Sequence, residues 1–360
     1  HLIAEGLHWI EKARPDGFRL DAVSHVPADF VSVYARQMRA AGGEHFQILG
    51  EIFDGNPVHV AEIARTTGLT QTFDFPLHYA LIDAICSGGD LRKLATVLSA
   101  DADYPAGHSH LTFVDNHDTP RIASACGDDA GKVVDVLRLL FALRGTPVIT
   151  YGTEMGMTGT SEHEARASMD FAKRTTAFDA IQQGMALRAA HPALDLGDTR
   201  ILSVGPDHIS VLRTAGEDRV LVQIGSDQQG LRSHASALYE QPGRVWIGAV
   251  NSEDQAAGLQ PPEESSVQLD VSLDVASGPP VWITGSRRAL GGWEPTNAIG
   301  PLKPGEVHHI EVERGSMLAL KAIRIQQDGA VQWLSDTDQF VWVPENTLGP
   351  VKVIIPSGRP

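Results

Sequence analysis

The sequence predicts an α/β fold: a partial (β/α)8 barrel of about five of eight β/α units, followed by two all-β, sandwich-like domains. Three observations carry this. Short apolar stretches alternate with helix-period segments up to residue 195, a two-residue alternation takes over from Asp198, and polar residues of the first region gather directly behind its apolar stretches.

The opening HLIAEGLHWIEKA shows helical spacing at Leu2, Leu7, Trp9 and Ile10 and lacks the basic-then-apolar order of a signal peptide, so the chain is expected to begin inside a fold. Strands are then predicted over 17–20, 46–50, 72–75, 111–114 and 147–151. Helices are predicted over 30–41, 57–67, 77–98, 131–143 and 177–190. Parallel strands need such crossover helices. No Gly-rich phosphate loop opens any of them, which favours a barrel over an open nucleotide-binding sheet. A closed barrel needs three more strands, expected to lie before His1.

Residues 1–195 are therefore assigned to the barrel and 196–260 to a small β domain with a hairpin around Ala215–Asp218. PPEESS at 261–266 reads as a linker, 267–345 as a second β domain, and 346–360 as a tail with no packing signal.

Composition narrows the partners. A chain that is 42% hydrophobic and 21% charged is an ordinary folded protein. With 29 Lys+Arg against 45 Asp+Glu, the formal charge of −16 repels nucleic acid and anionic membranes and suits a neutral substrate. No apolar run approaches the length of a membrane span. Cys86 and Cys126 offer no disulfide framework or Cys-rich zinc site and leave the redox compartment open.

The chemistry-bearing residues fall where barrel enzymes keep theirs, at the C-terminal ends of strands. Asp21, Glu51 and Asp118 each follow a predicted strand. Glycoside hydrolysis needs two carboxyl groups flanking the scissile bond, about 5–5.5 Å apart in retaining enzymes. Taken singly, an Asp after a strand is more often a helix cap. Glu51, however, lies between apolar residues in ILGEIFDG, a setting suited to an acid catalyst. Arg19 shares a strand face with Asp21 by the period of two and is placed to hold that carboxylate ionised. In FVDNHDTPR at 113–121, Asn116 reads as an orienting residue and Asp115 as structural.

GFRLDAVSH at 17–25, ILGEIFDG at 48–55 and FVDNHD at 113–118 resemble, in order, the second, third and fourth signatures of glycoside hydrolase family 13, the α-amylase family. The resemblance covers about 1–195, including DFPLHYAL at 74–81 and RGTPVITYGTE at 144–154. It implies Asp21 as nucleophile, Glu51 as general acid then base, and Asp118 as transition-state stabiliser. It further implies Arg19 orienting the nucleophile, His117 contacting the sugar beside the cut, and Glu162 and Arg166 contacting the next sugar out. His25 is implied near the acceptor side, with its backbone carbonyl on a structural calcium. Ser24 replaces a common acceptor-contacting Lys, and the first signature is absent. Residues 1–360 alone are accordingly expected to show little or no turnover.

VWITGSRRALGGWEPTNAIGPLKPGE and IRIQQDGAVQWLSDTDQFVWVP resemble a starch-binding module of carbohydrate-binding family 20. That implies a sugar platform of Trp293 and Trp333, with Lys321 as hydrogen-bonding neighbour, since flat pyranose faces pack on indole rings. Leu334 and Asp338 depart from the usual Glu and Asn, and Trp282 and Trp342 read as core. The chain is thus expected to be an α-amylase-like retaining hydrolase of α-1,4-glucans. Its partners would be starch and maltooligosaccharides, with no nucleic acid or membrane, and a polymeric substrate implies secretion. The alternatives are a non-catalytic starch-binding protein and an α-glucan transglycosylase. The short 196–266 stretch leaves no room for the extra domain of cyclodextrin glucanotransferases, which favours hydrolysis.

Overall fold

Strands β1 (Gly17–Leu20), β2 (Gln47–Gly50), β3 (Gln71–Phe73), β4 (Ser109–Phe113) and β5 (Thr146–Val148) pair in chain order as one parallel sheet. The computed structural model describes residues 1–226, 229–242, 244–250, 259, 265–274 and 279–356. It has two units, His1–Gly88 with Ala102–Leu196, and Gly89–Asp101 with Gly197–Pro360.

In the first unit, helices α1 (Leu2–Ala13), α2 (Ala28–Gly42) and α3 (Pro57–Thr67) flank the first strands. Val31, Ala35, Met38, Phe46, Ile48, Val60 and Leu69 make one buried cluster; each fully buried large aliphatic contributes roughly 1.5–3 kcal/mol. Helix α3 starts where the sequence offers both a cap and a preset φ. The Asn56 side chain accepts from the Val58 N–H at 3.1 Å, and Pro57 takes the first helical position.

The helix expected over 77–98 is two helices. Helix α4 (Phe75–Leu81) runs into a π turn, Ile82–Cys86, and a new helix, α5 (Leu91–Ser99), starts after SGGD with Asp90 as its cap. Asp90 accepts from the Arg92 N–H at 2.9 Å, offering the backbone a fresh N-terminus in place of continuation. Helix α5 consequently belongs to the second unit. Beyond β4 come α6 (Ile122–Ala125), α7 (Ala130–Ala142), α8 (Glu162–Ala165) and α9 (Thr176–Ala190).

In the second unit, β6 (Asp198–Val204), β7 (His208–Ala215), β8 (Asp218–Gly225), β9 (Ser236–Gln241) and β10 (Val245–Ala249) form an antiparallel sheet in the order β6-β7-β8-β10-β9. Ala215 pairs with Asp218, closing the predicted hairpin. Two further sheets follow. One has β14 (His308–Glu313), β11 (Ser266–Leu273) and β18 (Val351–Ile355). The other has β13 (Ile299–Leu302), β12 (Val281–Gly285), β15 (Ser316–Ile325) and β16 (Val331–Trp333), with β17 (Gln339–Val343) also on β15. Leu269, Val271, Val281, Ile283, Leu318, Leu320, Val341 and Val343 fill the core of these two sheets.

Two expectations change here. The segment beyond 345 is packed: β18 runs parallel to β11, with Val353 and Ile355 buried in that core. Trp282 and Trp342 are half-buried on the opposite face of their strands, because their neighbours Val281, Ile283, Val341 and Val343 take the inward positions of the two-residue repeat. Of the expected linker, 261–264 lie outside the described residues, and Ser266 already begins β11.

Cys86 and Cys126, both buried, form a disulfide across 40 positions of sequence within the first unit. Closing such a loop in the unfolded chain is worth up to about 4 kcal/mol. The Cys86→Ala/Cys126→Ala variant should therefore melt roughly 5–15 °C below the parent in the first unit's transition; differential scanning calorimetry of the two proteins checks this.

Candidate active site

The β1–β2 ladder does not stop at the strands. The Glu51 N–H donates to the Leu20 carbonyl at 2.9 Å, and the Val23 N–H donates back to the Glu51 carbonyl at 2.9 Å. These two bonds bracket Asp21 and bring it beside Glu51. One guanidinium nitrogen, Arg19 Nη2, then lies 2.5 Å from Glu51 Oε1 and 3.1 Å from Asp21 Oδ1. The two carboxylate oxygens are therefore no farther apart than those distances end to end. Their surroundings differ: the Asp21 side chain is 77% exposed and that of Glu51 only 10%.

Asp118 sits in a second cluster behind β4. Arg166 donates to Asp118 Oδ1 at 2.9 Å and to the His117 carbonyl at 3.1 Å, and also pairs with Glu162. His117 Nε2 is 3.1 Å from Asp118 Oδ2. The Asn116 side chain accepts from the Asp118 N–H at 2.8 Å, setting the turn that presents the carboxylate. Below it, buried Asp115 accepts from Thr153 Oγ1 at 2.6 Å and the Ile122 N–H at 3.0 Å; burial pushes its carboxyl up, and these two donors with Arg121 oppose that. Because all five strands are parallel, both clusters stand at the same edge of the sheet. No described contact joins Asp118 directly to Asp21 or Glu51. His25 closes a 3₁₀ turn, Val23–His25, and its side chain makes no described contact with either cluster.

Several residues here carry no signal that sequence spacing alone could expose. Arg144 and Asp74, 70 positions apart, form a buried pair, with His110 Nδ1 3.8 Å from the same carboxylate. His78 stacks on Phe113 at 4.7 Å, and the Arg19 guanidinium lies 5.7 Å over the Phe73 ring. Phe53 is 54% exposed two residues past Glu51 and rests on buried Phe75 at 4.3 Å. DFPLHYAL and RGTPVITYGTE, which hold Asp74, Phe75, His78 and Arg144, show by their sequence only a family resemblance and no role for these side chains.

In the last two sheets, Lys321 Nζ lies 5.8 Å from the centre of the Trp333 ring and 3.1 Å from Asp338 Oδ1. Trp293, in the left-handed region at φ 66, donates its backbone N–H to the Gly285 carbonyl at 3.0 Å. Gly285 adjoins Thr284, which pairs with Lys321. Trp293 and Trp333 thus come from opposite sides of the strand that carries Lys321. Leu334 packs against the core, which accounts for an apolar residue in place of the usual Glu.

A family profile described as the α-amylase catalytic domain matches residues 6–192, more than half of the chain. The chain belongs to the α-amylase family. A second profile, described as a starch binding domain, matches residues 264–351. The α-amylase of Streptomyces lividans is 34% identical over 206 residues, 52% of this chain and 22% of that protein. The beta/alpha-amylase of Paenibacillus polymyxa is 29% identical over 59% of this chain and 18% of that protein. This family member therefore spans about a fifth of the length of these relatives. Cyclomaltodextrinases and cyclomaltodextrin glucanotransferases are also similar to it. Among solved structures, the cyclic alpha-maltosyl-(1→6)-maltose hydrolase of Arthrobacter globiformis superposes with a TM-score of 0.60 at 25% identity, over 69% of this chain and 59% of that one.

Family membership implies calcium, and the described residues show no cluster of acidic, His or Cys side chains for it. Calcium takes six to eight oxygens. Among the described residues, no group of three or more Asp, Glu, His or Cys side chains is arranged around a cation position, at His25 or elsewhere.

Burial holds His78 and His108 at about 4, and His110 well below the ordinary value. Unfolded, these imidazoles protonate near pH 6.5; folded, His78 and His108 stay neutral until about pH 4 and His110 stays neutral well below its ordinary range. Stability is thus complete above pH 6.5 and falls as the pH drops toward 4, by up to about 1.4 kcal/mol per pH unit for each group. Melting curves at pH 7 and pH 5 should show a lower midpoint at pH 5, and His78→Phe, which keeps a ring against Phe113, should narrow the difference.

Proposed function

We propose that this α-amylase family chain carries the catalytic carboxylates of a retaining hydrolase of α-1,4-glucans, together with a module that holds it on starch. The supporting observation is the Arg19 guanidinium shared by Asp21 and Glu51, which puts one oxygen of each against the same nitrogen, an arrangement compatible with the separation of about 5–5.5 Å found in retaining enzymes.

In this reading, an Asp21 oxygen attacks the anomeric carbon as the glucosidic C–O bond breaks. The proton of Glu51 goes to the departing oxygen. Water then adds to the anomeric carbon and gives its proton to Glu51, and Asp21 is released. The environments suit the division of labour: the solvated aspartate serves as nucleophile and the enclosed glutamate as acid. Asp118, fixed by Arg166 and His117, holds sugar hydroxyls as positive charge develops. Arg166 and Glu162 bind the next ring, His25 lies toward the acceptor, and Phe53 gives that ring an apolar ledge. Trp293, Trp333 and Lys321 hold the polymer. An acceptor sugar in place of water would give transfer, the reaction of some relatives; the short connection between the two matched regions favours hydrolysis. A polymeric substrate and the Cys86–Cys126 disulfide both support secretion into an oxidising compartment.

Reducing-sugar release from soluble starch by the 360-residue chain tests this. Little release is expected from these residues alone; Glu51→Gln should abolish what there is with granule binding intact, and release unchanged in that variant would sink the assignment. Granule binding by the parent without any sugar release would favour the non-catalytic alternative. Redistribution of chain length without net hydrolysis would favour transfer. Trp333→Ala should weaken granule retention about three- to tenfold.

A further inference from the structure

We infer that Trp282 is a third sugar-stacking ring, extending the Trp333 platform across Ile323; this rests on the starch-binding reading above. Trp282 pairs in register with Ile323 on β12–β15, and Ile323 pairs in register with Trp333 on β15–β16. Residues paired in register share a face, so the two indoles flank one isoleucine in a single row across three strands. Two strand spacings set their backbone positions roughly 9.6 Å apart, and Ile323 between them is fully buried beneath this face.

Lys321, two residues before Ile323, shares that face and stands beside the Trp333 ring, so the row is continuous with the platform. Trp282 keeps part of its surface open while Val281 and Ile283 on either side are fully buried. The ring is also held in place. A Cβ on Gly300 would fall 2.7 Å from Trp282 Cδ1, so only glycine lets the backbone brace the indole there. A ring immobilised before the ligand arrives loses little freedom on binding. Stacking requires no charge or hydrogen bond from the protein, so the row suits the apolar C–H faces of an uncharged α-1,4-glucan.

Ligand length separates stacking from packing, since a two-ring sugar cannot reach both indoles. Titration of the 360-residue chain, followed by tryptophan fluorescence, should show Trp282→Ala binding maltoheptaose about three- to tenfold more weakly, with maltose affinity changed less than about twofold. Trp282→Phe keeps a ring over Ile323 and should give an intermediate loss; it decides the matter if the alanine variant does not fold. Unchanged maltoheptaose affinity, or equal losses for both sugars, would show that Trp282 only packs. Weakening by Trp333→Ala but by neither Trp282 variant overturns this inference alone, whereas a parent chain that binds neither sugar overturns the starch-binding reading with it.

Discussion

The backbone ladder between β1 and β2, carried two bonds past the last paired residues, is the constraint on which the candidate active site depends. Leu20 pairs with Gly50, and the next bonds run from the Glu51 N–H to Leu20 and from the Val23 N–H to Glu51. They fix the chain on both sides of Asp21, so the two carboxylates meet through main-chain geometry and not through flexible side chains alone. Gly50 is part of the same constraint. A Cβ there would fall 2.4 Å from Leu69 Cδ1, so any larger residue would have to move the Leu69 side chain that packs against the strand. Arg19 then bridges the two carboxyl groups, with Nη2 3.1 Å from Asp21 Oδ1 and 2.5 Å from Glu51 Oε1.

The second cluster depends on a buried scaffold. Arg121 is fully buried, donates its Nε–H to the Ala165 carbonyl at 2.8 Å and lies 5.0 Å over the Tyr151 ring. Ala165 immediately precedes Arg166, so this bond sets where the Arg166 guanidinium reaches Asp118. Asp115, Thr153 and Ile122 hold the other side of the loop. Buried ion pairs of this sort add little net stability, because desolvation offsets their attraction. What they supply is a single arrangement, and a site that must hold a carboxylate within tenths of an ångström of its place requires one.

How much of this was legible in the sequence follows from the range of each interaction. All five parallel strands were legible because a buried strand leaves a local apolar signature, and the three carboxylates because they sit directly behind those strands. The break between α4 and α5 was written in SGGD but overridden by the apolar spacing on either side. The Asp74–Arg144 pair and the Cys86–Cys126 bridge were not legible, since each joins residues that only the folded chain brings together. The same holds for β18, whose parallel partner β11 lies far upstream and leaves no turn signal between them. Trp282 reads as core from sequence because tryptophan in a strand usually is; only the register shows which face it takes.

The charges of the candidate sites bear on what can bind there. Arg19 is matched by Asp21 and Glu51, Arg166 by Asp118 and Glu162, and Lys321 by Asp338. Each cation is thus neutralised by the protein itself before any ligand arrives, within a chain whose formal charge is −16. A phosphate or carboxylate ligand would have to displace those acids and lose their attraction. An uncharged polyol would displace none: its hydroxyls would bond to groups already in place, and on the proposed reading its apolar faces would meet Phe53, Trp282 and Trp333. Asp338 illustrates the trade. In place of an amide it ties down the Lys321 ammonium, and since an ammonium has three donors, a sugar oxygen can still take one of the others. On the proposed starch-binding reading, polar affinity for the sugar would thereby be lowered and more of the binding would come from ring stacking.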